Sequence, residues 1–333
     1  MDIYNQISNE IQSAKNIVVT AHKGPDGDAI GSALAMFHLL NKLNKNVALC
    51  LPDDAPQYLK SLVGADQMLF FDKNPELIKE KLWGANLIFC LDYNAPDRLG
   101  KEMGEELLKS TAKRILIDHH PNPVDFCDIT YSDVSSCSTA QLIYEVIEHT
   151  GNKQLLNHDI AAPIYLGLVT DTGSFRFPSV SARTHEIVAE LIKSGLQHHL
   201  IHEQVFDTNT VSKLQLRGYA IAEKLELIAN TPVGVITLTK QELGRFNYQS
   251  GDTDGLVNTI LSISGVEVAC LMIEKTEGVK ISFRSKGNYY VNELASSHFS
   301  GGGHKYAAGG FYAGKLEDAL VAFKALIPNY FIK

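Results

Sequence analysis

The stretch His22-Lys-Gly-Pro-Asp26-Gly-Asp28 places one imidazole and two carboxylates on a short turn. An apolar run, 17–21, precedes it, and apolar residues three or four apart follow it over 30–43, which is the pattern of a strand and then a helix. In open α/β sheets, binding sites form at the carboxyl ends of strands. Because two carboxylates this close repel each other, a bound cation is the usual remedy. The stretch therefore predicts a metal-binding strand end, with an ordinary surface turn capped by His22 as the alternative.

Three more apolar runs resemble the one before His22. They lie at 47–51, 85–91 and 114–117 and are mostly continuous rather than alternating. Continuous apolar runs are typical of parallel strands that are covered on both faces. Because helical patterns separate the runs, the sequence predicts an α/β fold with a doubly wound, mainly parallel sheet.

The predicted secondary structure of the chain changes after about residue 195. Residues 196–229 are helical and mixed in polarity, and β-rich runs follow Thr231-Pro232. We therefore predict three parts: a first domain at 1–190, which contains the candidate metal-binding turn, a helical connector at 191–229 and a second domain at 230–333. The last is expected to be a second, smaller α/β domain with a mixed sheet.

Composition and net charge argue against several classes of protein. Of 333 residues, 45% are hydrophobic and 20% charged, and the net charge of -8 argues against a general binder of duplex nucleic acid. Five cysteines without zinc-site spacing predict reduced thiols and a cytoplasmic protein. No signal-peptide pattern is evident at the N-terminus, and no apolar run approaches the length of about 20 residues that spans a membrane.

Other predicted strand ends in the N-terminal half also carry carboxylates or imidazoles. They are Asp92, the run Asp118-His119-His120 and, after a predicted helix, Asp171. Because parallel strand ends share one edge, these groups are expected to converge with the first turn. Mixed carboxylate and imidazole ligands of this kind suit Mn²⁺, Mg²⁺ or Fe²⁺. The number of ligands is sufficient for two ions about 3.5–4 Å apart, an arrangement found in enzymes that hydrolyse phosphoesters or phosphoanhydrides. The alternative for Asp92 and Asp171 is a role as helix N-caps.

Taken together, these motifs resemble the DHH phosphoesterase superfamily. Asp118-His119-His120 has His22-x-x-x-Asp26-x-Asp28 and Asp92 upstream and Asp171 downstream, while Gly301-Gly-Gly-His304 resembles the DHH-associated C-terminal domain. The two-domain layout is similar to bacterial oligoribonucleases that are also pAp phosphatases. The resemblance implies hydrolysis of very short RNA to mononucleotides and of pAp (3′-phosphoadenosine 5′-phosphate) to AMP. It also implies two divalent cations, Mn²⁺ foremost, with Mg²⁺ or Fe²⁺ as alternatives.

The resemblance further implies the metal ligands. One cation would be held by His22, Asp26 and Asp92. The second would be held by Asp28, Asp92, His119 and Asp171, so that Asp92 bridges the pair.

Two further residues of the N-terminal half have implied roles in catalysis. His120 would contact the substrate, as a phosphate binder or as proton donor to the leaving oxygen, and Asp118 would orient a histidine. Neighbouring residues in extended backbone point to opposite sides, so His119 and His120 are expected to face different ways.

The second half is predicted to bind the substrate. The candidates are Arg284, Ser285, Lys286, His298, Gly301, Gly302, Gly303 and His304. Successive glycines can turn backbone N–H groups toward a phosphate, and a mobile glycine turn is the alternative. Arg284 suits bidentate phosphate binding, and a solvated charge pair with Lys286 is its alternative. His298 and Arg176 are weaker candidates, and the pair His198 and His202 is better explained as a solvated helix face.

The sequence leaves two other functions open. A phosphodiesterase that cleaves pApA or cyclic di-AMP would use the same site, and a non-catalytic nucleotide-binding regulator could be built on a DHH scaffold. The expected partners are short single-stranded RNA or a small nucleotide, without duplex nucleic acid or membrane, and a homodimer is left open.

Overall fold

The computed structural model describes residues 2–331. The chain folds into two compact units, Met1–Thr208 and Asn209–Lys333, each with its own sheet of six strands. Within the described residues, no helix combines the length and apolar character that crossing a membrane requires.

The first unit is built on six parallel strands in the order β3-β2-β1-β4-β5-β6. The strands are β1 (Asn16–Ala21), β2 (Asn46–Leu51), β3 (Met68–Phe70), β4 (Leu87–Leu91), β5 (Lys113–Asp118) and β6 (Ile129–Ser132). The chain runs outward from β1 to β3 and then returns to run outward from β4 on the other side. The strand order therefore reverses between β1 and β4, which is where such folds bind ligands. The predicted doubly wound parallel sheet is confirmed.

Helices cover both faces of this sheet. They are α1 (Ile3–Ser13), α2 (Gly27–Lys42), α3 (Pro75–Gly84), α4 (Lys101–Lys109), α5 (Thr139–His149), α6 (His158–Asp171), α7 (Ala182–Lys193) and α8 (His198–Phe206). Alternate strand residues face opposite sides: Val19 packs in a core with α2, α5 and α6, while Val18 packs in a core with α3 and α4. Both faces of β1 are therefore buried, which explains its continuous apolar run.

The helices α2 and α6 approach each other closely at two glycines. A Cβ atom at Gly31 would overlap the Pro163 carbonyl oxygen and lie 2.9 Å from the Gly167 nitrogen. A Cβ atom at Gly167 would lie 2.6 Å from Asp28 Oδ1. The two backbones thus touch directly, and this contact sets the separation between the start of α2 and the end of α6.

The second unit contains a mixed sheet in the order β11-β12-β10-β9-β8-β7. The strands are β7 (Leu225–Leu227), β8 (Val233–Leu238), β9 (Val268–Lys275), β10 (Gly278–Ser285), β11 (Gly302–His304) and β12 (Ala307–Tyr312). The pair β8–β9 is parallel and the other pairs are antiparallel. The predicted second α/β domain with a mixed sheet is confirmed.

Helices cover this second sheet on both faces as well. They are α9 (Val211–Glu223), α10 (Lys240–Arg245), α11 (Leu256–Leu261), α12 (Asn292–His298) and α13 (Leu316–Phe331). Phe283 of β10 packs in a core with residues of α12 and α13, while Leu271 of β9 packs in another with residues of α9, α10 and α11. Each unit therefore has its own core.

The predicted connector, 191–229, contains the end of α7 and all of α8, α9 and β7. The division between the two compact units falls inside it, after Thr208. In the first unit α8 packs against α6, and in the second α9 packs against β7 and β8. The three-part division with a separate connector stays a prediction.

Candidate metal centre

The candidate ligands meet where the strand order reverses. His22 directly follows β1, and Asp92 directly follows β4. The run 118–120 ends β5 and leaves it, while Asp171 is the last residue of α6. All of them belong to the first unit.

A first group of ligand atoms consists of His22, Asp26 and Asp92. His22 Nε2 lies 3.8 Å from Asp26 Oδ1 and 3.5 Å from Asp92 Oδ2. On the other edge of the ring, Nδ1 lies 3.0 Å from the Lys23 carbonyl oxygen. Because a carbonyl oxygen only accepts hydrogen bonds, Nδ1 donates to the Lys23 carbonyl oxygen, and Nε2 is the ring atom that faces the two carboxylates.

A second group consists of Asp28, His119 and Asp171. His119 Nε2 lies 3.8 Å from Asp28 Oδ2 and 3.5 Å from Asp171 Oδ2. As in the first group, the other ring nitrogen faces backbone, since Nδ1 lies 3.3 Å from the Ser136 carbonyl oxygen. Such outer contacts fix the ring orientation of metal-binding histidines.

Asp92 connects the two groups. Its Oδ2 faces His22, and its Oδ1 lies 3.7 Å from His119 Nε2. The side chain is buried, and the backbone has φ 62°, a left-handed conformation that is uncommon outside glycine. Strained backbone of this kind is often found at functional sites.

The helix-cap alternatives can now be decided by position. Asp171 ends a helix, and the 3-10 helix that follows Asp92, Pro96–Leu99, has Ala95 as its N-cap, so neither aspartate is an N-cap. Asp26, in contrast, is the N-cap of α2, and its Oδ1 accepts hydrogen bonds from the Asp28 and Ala29 N–H groups. Asp26 therefore combines a structural role with its place in the first group.

Asp118 and His120 form a hydrogen-bonded pair beside these groups. His120 Nδ1–H donates to Asp118 Oδ1 over 2.8 Å, and Asp118 is completely buried. The expectation that His119 and His120 face opposite ways is wrong, because β5 ends at Asp118 and strand alternation no longer applies. His120 Nδ1 lies 3.6 Å from Asp92 Oδ1, as close as His119 Nε2 at 3.7 Å.

The crowding of acidic groups changes their protonation. Burial and the charges of Asp92, Asp171 and Asp26 raise the pKa of Asp28 well above its usual value. Burial likewise raises the pKa of Asp171 to about 6, with Asp26 and Asp92 adding to the effect. Burial acts the same way on Asp92, but the hydrogen bond with His22 and nearby histidine charges lower its pKa below the usual range.

This donor set fits divalent cations. Four carboxylates and two imidazoles contribute to the two groups, and neither group contains a cysteine. Carboxylates whose pKa is raised by one another are stabilised in their charged form by a cation. Oxygen and imidazole ligands without thiolates favour Mn²⁺, Mg²⁺ or Fe²⁺.

Thr139 contacts these groups without having been predicted from the sequence. Thr139 Oγ1 donates to Asp92 Oδ1 over 2.8 Å. The sequence marks Thr139 only as the residue that opens a predicted helix, and nothing in its local pattern points to Asp92, 47 residues away. The contact depends on how α5 packs, which a single sequence does not show.

In the second unit, Arg284 and His304 share one face of the sheet. Arg284 is paired with Ala307, and Ala307 with His304. Directly opposed residues point to the same face, so only the Ala307 methyl group lies between the two side chains in this row. Ser285 points to the other face and is buried, so the structure separates it from Arg284.

Lys286 and His298 lie outside this row. Lys286 Nζ donates to the Leu261 carbonyl oxygen over 3.2 Å, and His298 Nε2 lies 2.9 Å from the Tyr330 hydroxyl. Both side chains are therefore engaged by other parts of the second unit.

The glycine cluster forms a β-hairpin rather than a loop. Gly302 and Gly303 lie in β11 and pair with Gly309 and Ala308 of β12. A Cβ atom at Gly301 would overlap the Gly309 carbonyl oxygen, and one at Gly303 would lie 2.6 Å from the Ala307 carbonyl oxygen. The glycines allow the two backbones to approach, so the alternative of a mobile turn is wrong. Their role in phosphate binding stays a prediction.

The weaker candidates make local contacts. Arg176 is exposed, and its Nε donates to the Gly173 carbonyl oxygen over 2.7 Å. His202 Nε2 lies 2.9 Å from the Tyr165 hydroxyl, so this histidine is anchored to α6. His198 is exposed, as expected for a solvated helix face.

Comparison with known proteins identifies the family. The DHH family, N-terminal domain, matches residues 16–168, and the DHHA1 domain matches residues 230–329. The bifunctional oligoribonuclease and PAP phosphatase NrnA of Bacillus subtilis is 30% identical over 297 residues, which cover 88% of each chain. The chain belongs to the DHH family. The predicted resemblance is thereby confirmed, as is the prediction of a hydrolase.

Two other similar proteins bear on fold and function. A crystal structure of an exopolyphosphatase-related protein from Bacteroides fragilis has a TM-score of 0.94 and 36% identity, covering 98% of this DHH chain and 96% of that one. The cyclic-di-AMP phosphodiesterase GdpP of Bacillus subtilis is 25% identical over 99% of this chain, which spans 50% of that protein. The first shows the same fold along nearly the whole chain.

Proposed function

We propose that this DHH-family chain is a two-metal phosphoesterase that hydrolyses short oligoribonucleotides to mononucleotides and pAp to AMP. The observation that carries the proposal is that Asp92 joins two groups of carboxylate and imidazole ligands at the strand-order reversal. The similarity to NrnA, named as a bifunctional oligoribonuclease and PAP phosphatase, supports this substrate class over most of both chains.

The proposed ligands fall into the two groups already described. One cation would be held by His22, Asp26 and Asp92, and the other by Asp28, Asp92, His119 and Asp171. We propose Mn²⁺, with Mg²⁺ and Fe²⁺ as ions that accept the same ligands. When bound, such a pair neutralises charge on phosphoryl oxygens and lowers the pKa of a water molecule.

His120 is proposed as the proton donor. Because Nδ1–H is held by Asp118, Nε2 is the ring atom proposed to meet the substrate. Burial lowers the pKa of His120, but the hydrogen bond with Asp118 and the charges of Asp92 and Asp118 outweigh it and raise the pKa. Hydrolysis of pAp to AMP breaks the bond between phosphorus and the ribose 3′-oxygen. A proton held at His120 Nε2 would pass to that oxygen as it leaves.

Arg284 and His304 are proposed to bind a terminal phosphate of the substrate. They lie in one row on the same face of the second sheet, with a single methyl group between them. A guanidinium can form two parallel hydrogen bonds to a phosphate, and a neighbouring imidazole can add a third. The other candidates of the second half, Ser285, Lys286, His298 and Gly301 to Gly303, stay predictions.

The substitution Asp118→Asn tests the role of the Asp118–His120 pair. It keeps the size of the side chain but removes the charge that orients His120 and favours its protonated form. We expect kcat for pAp to fall about 10²-fold or more, with little change in KM, because proton transfer typically contributes about 10² to 10⁴. Steady-state kinetics with Mn²⁺ measure both constants.

Asp125→Asn is the matched control, since Asp125 is an exposed carboxylate in the loop after the same strand. It should leave kcat unchanged. An Asp118→Asn enzyme as fast as the wild type would exclude the proposed proton donor.

A substrate comparison tests the proposed function as a whole. Purified full-length chain with Mn²⁺ is assayed on pAp, on RNAs of two to five nucleotides, on pApA and on cyclic di-AMP, and products are identified by chromatography. We expect AMP from pAp and mononucleotides from the short RNAs. The kcat/KM for cyclic di-AMP should be at least about ten-fold lower than the kcat/KM for pAp.

Two outcomes would contradict the proposal. If cyclic di-AMP were the fastest substrate by a wide margin, the activity named for GdpP would be the better description, and if pApA were, the chain would be a phosphodiesterase of that linear dinucleotide. If no substrate were turned over while nucleotides bound tightly, the chain would be a regulator. Metal analysis separates that case further, because a phosphoesterase of this kind should hold close to two ions per chain.

We also propose that the protein works in the cytoplasm. Its five cysteines are free in the structure, and Cys50, Cys90, Cys137 and Cys270 are buried. Unpaired thiols are typical of a reducing compartment.

A further inference from the structure

The first turn of α5 contacts one carboxylate from each of the two ligand groups. The Thr139 N–H donates to Asp28 Oδ2 over 2.7 Å, and the Ala140 N–H donates to Asp28 Oδ1 over 2.9 Å. The Thr139 hydroxyl donates to Asp92 Oδ1 over 2.8 Å. One residue therefore holds Asp28 of the second group and Asp92, which belongs to both proposed sites.

These donors are fixed by their surroundings. Thr139 is completely buried, and so is Ser138, whose side chain caps α5 by accepting a hydrogen bond from the Gln141 N–H. The helix packs against both α2 and α6. Because α2 carries Asp28 near its start, the donors and their acceptor move as one packed body.

The hydroxyl of Thr139 has a defined direction. A charged carboxylate only accepts hydrogen bonds, so the proton lies on Thr139 and points at Asp92. Asp92 also has the left-handed backbone noted above. Thr139 is the hydroxyl that supports Asp92 on the Oδ1 side.

We propose that Thr139 is a positioning residue that couples the two cation sites, because it holds Asp28 and Asp92 in the orientation in which they bind. This inference rests on the two-metal function proposed above. Thr139 would act through the two carboxylates and would not itself contact the cations. A change in the position of Asp92 at one site would then be transmitted, through the Thr139 hydroxyl, to the N–H groups that hold Asp28.

The test compares Thr139→Val, Thr139→Ser and Thr184→Val. Valine keeps the shape and the backbone N–H but removes the hydroxyl, whereas serine keeps both donors. Thr184 is the matched control, since it is also buried and its hydroxyl donates to Gln141 Oε1 over 2.8 Å, away from the ligand groups. Mn²⁺ binding to the metal-stripped full chain is measured by calorimetry.

The expected result is a loss specific to Thr139→Val. Its affinity for the more weakly bound Mn²⁺ should fall about 10- to 100-fold, the usual effect of removing an outer hydrogen-bond partner of a metal ligand. Activity should recover at saturating Mn²⁺. Thr139→Ser should bind like the wild type, and Thr184→Val should melt earlier but bind Mn²⁺ normally. If Thr139→Val fails to fold, the Mn²⁺ affinities of Thr139→Ala and Thr139→Ser are compared instead, since these two variants also differ in whether they keep the hydroxyl.

The two hypotheses fail in distinguishable ways. If the wild type binds two Mn²⁺ and Thr139→Val binds both with unchanged affinity, the positioning role is excluded and the two-metal function stands. If the wild type binds no Mn²⁺ at all, the two-metal function fails and this inference fails with it.

Discussion

Asp92→Asn is expected to abolish hydrolysis of both pAp and short RNA. Among the four carboxylates of the two described ligand groups, Asp92 is the one whose two oxygens face different histidines, with Oδ2 3.5 Å from His22 and Oδ1 3.7 Å from His119. An amide offers one oxygen and no charge, so it cannot serve both proposed sites. We expect kcat/KM to fall at least about 10³-fold, equivalent to about 4 kcal/mol of transition-state stabilisation.

Asparagine is the appropriate replacement because of the backbone at this position. Asp92 has φ 62°, and asparagine adopts this left-handed region far more readily than alanine does. Thr139 can still donate its hydroxyl hydrogen to the amide oxygen. The variant should therefore fold, so that lost activity reports the lost charge and ligand atom rather than a collapsed site.

Metal analysis and thermal melting accompany the kinetics of Asp92→Asn. The wild type should hold close to two Mn²⁺ per chain, and the variant one or none. A ligand at 100 times its Kd stabilises the folded state by about 2.7 kcal/mol per site, so the rise in Tm on adding Mn²⁺ should shrink in the variant. The control is Asp72→Asn, which removes an exposed charge outside the ligand groups. An Asp92→Asn enzyme with two bound ions and full activity would refute the dinuclear assignment.

The parallel core of the first unit could be predicted because its strands are buried on both faces. The runs that became β1, β2, β4 and β5 are continuous and apolar, and such runs are visible in one sequence. Their ends carry the polar residues that meet at the sheet edge. The edge strands β3 and β6 were missed, since β3 has only three residues and every residue of β6 is partly exposed.

The hairpin of the second unit could not be predicted from local preference. Glycine weakens strands through its flexibility and lack of a side chain, so the run 301–310 favoured a turn. It pairs as β11 and β12 because Gly301 and Gly303 lie where a side chain would meet the opposite backbone. The same contact with distant backbone explains why the pairing of Arg284 and His304 was invisible in the sequence.

The hydrogen-bond partners that orient the candidate ligands could likewise not be predicted from the sequence. His22 and Asp92 are recognisable from their place after apolar runs, but their partners are set by packing. Thr139 reaches Asp92 only because α5 begins at the sheet edge. The chemistry of ligands could thus be predicted from residue type and position, whereas the groups that orient them required coordinates.

Gly31→Ala is expected to destabilise the first unit and disturb the candidate centre together. The new Cβ atom would overlap the Pro163 carbonyl oxygen and lie 2.9 Å from the Gly167 nitrogen. Both neighbours are backbone atoms, so no side-chain rotation relieves the clash and α2 must move away from α6. Overpacking of this kind costs about 1–3 kcal/mol and occasionally more, so we expect Tm to fall by about 5–10 °C in a unit of this size.

The movement matters for function because the two helices carry ligands of the same group. Asp28 lies in the first turn of α2, and Asp171 ends α6. Separating the helices should move these carboxylates apart and weaken Mn²⁺ binding, measured by calorimetry on the folded variant at low temperature.

Gly218→Ala provides the matched control, since Gly218 lies inside α9 and a Cβ atom there would meet no other atom within 4 Å. Alanine at this position should raise stability by about 0.4–1 kcal/mol. If Gly31→Ala instead behaved like Gly218→Ala, with unchanged Mn²⁺ affinity, direct backbone contact between α2 and α6 could not be what sets the spacing of the ligands.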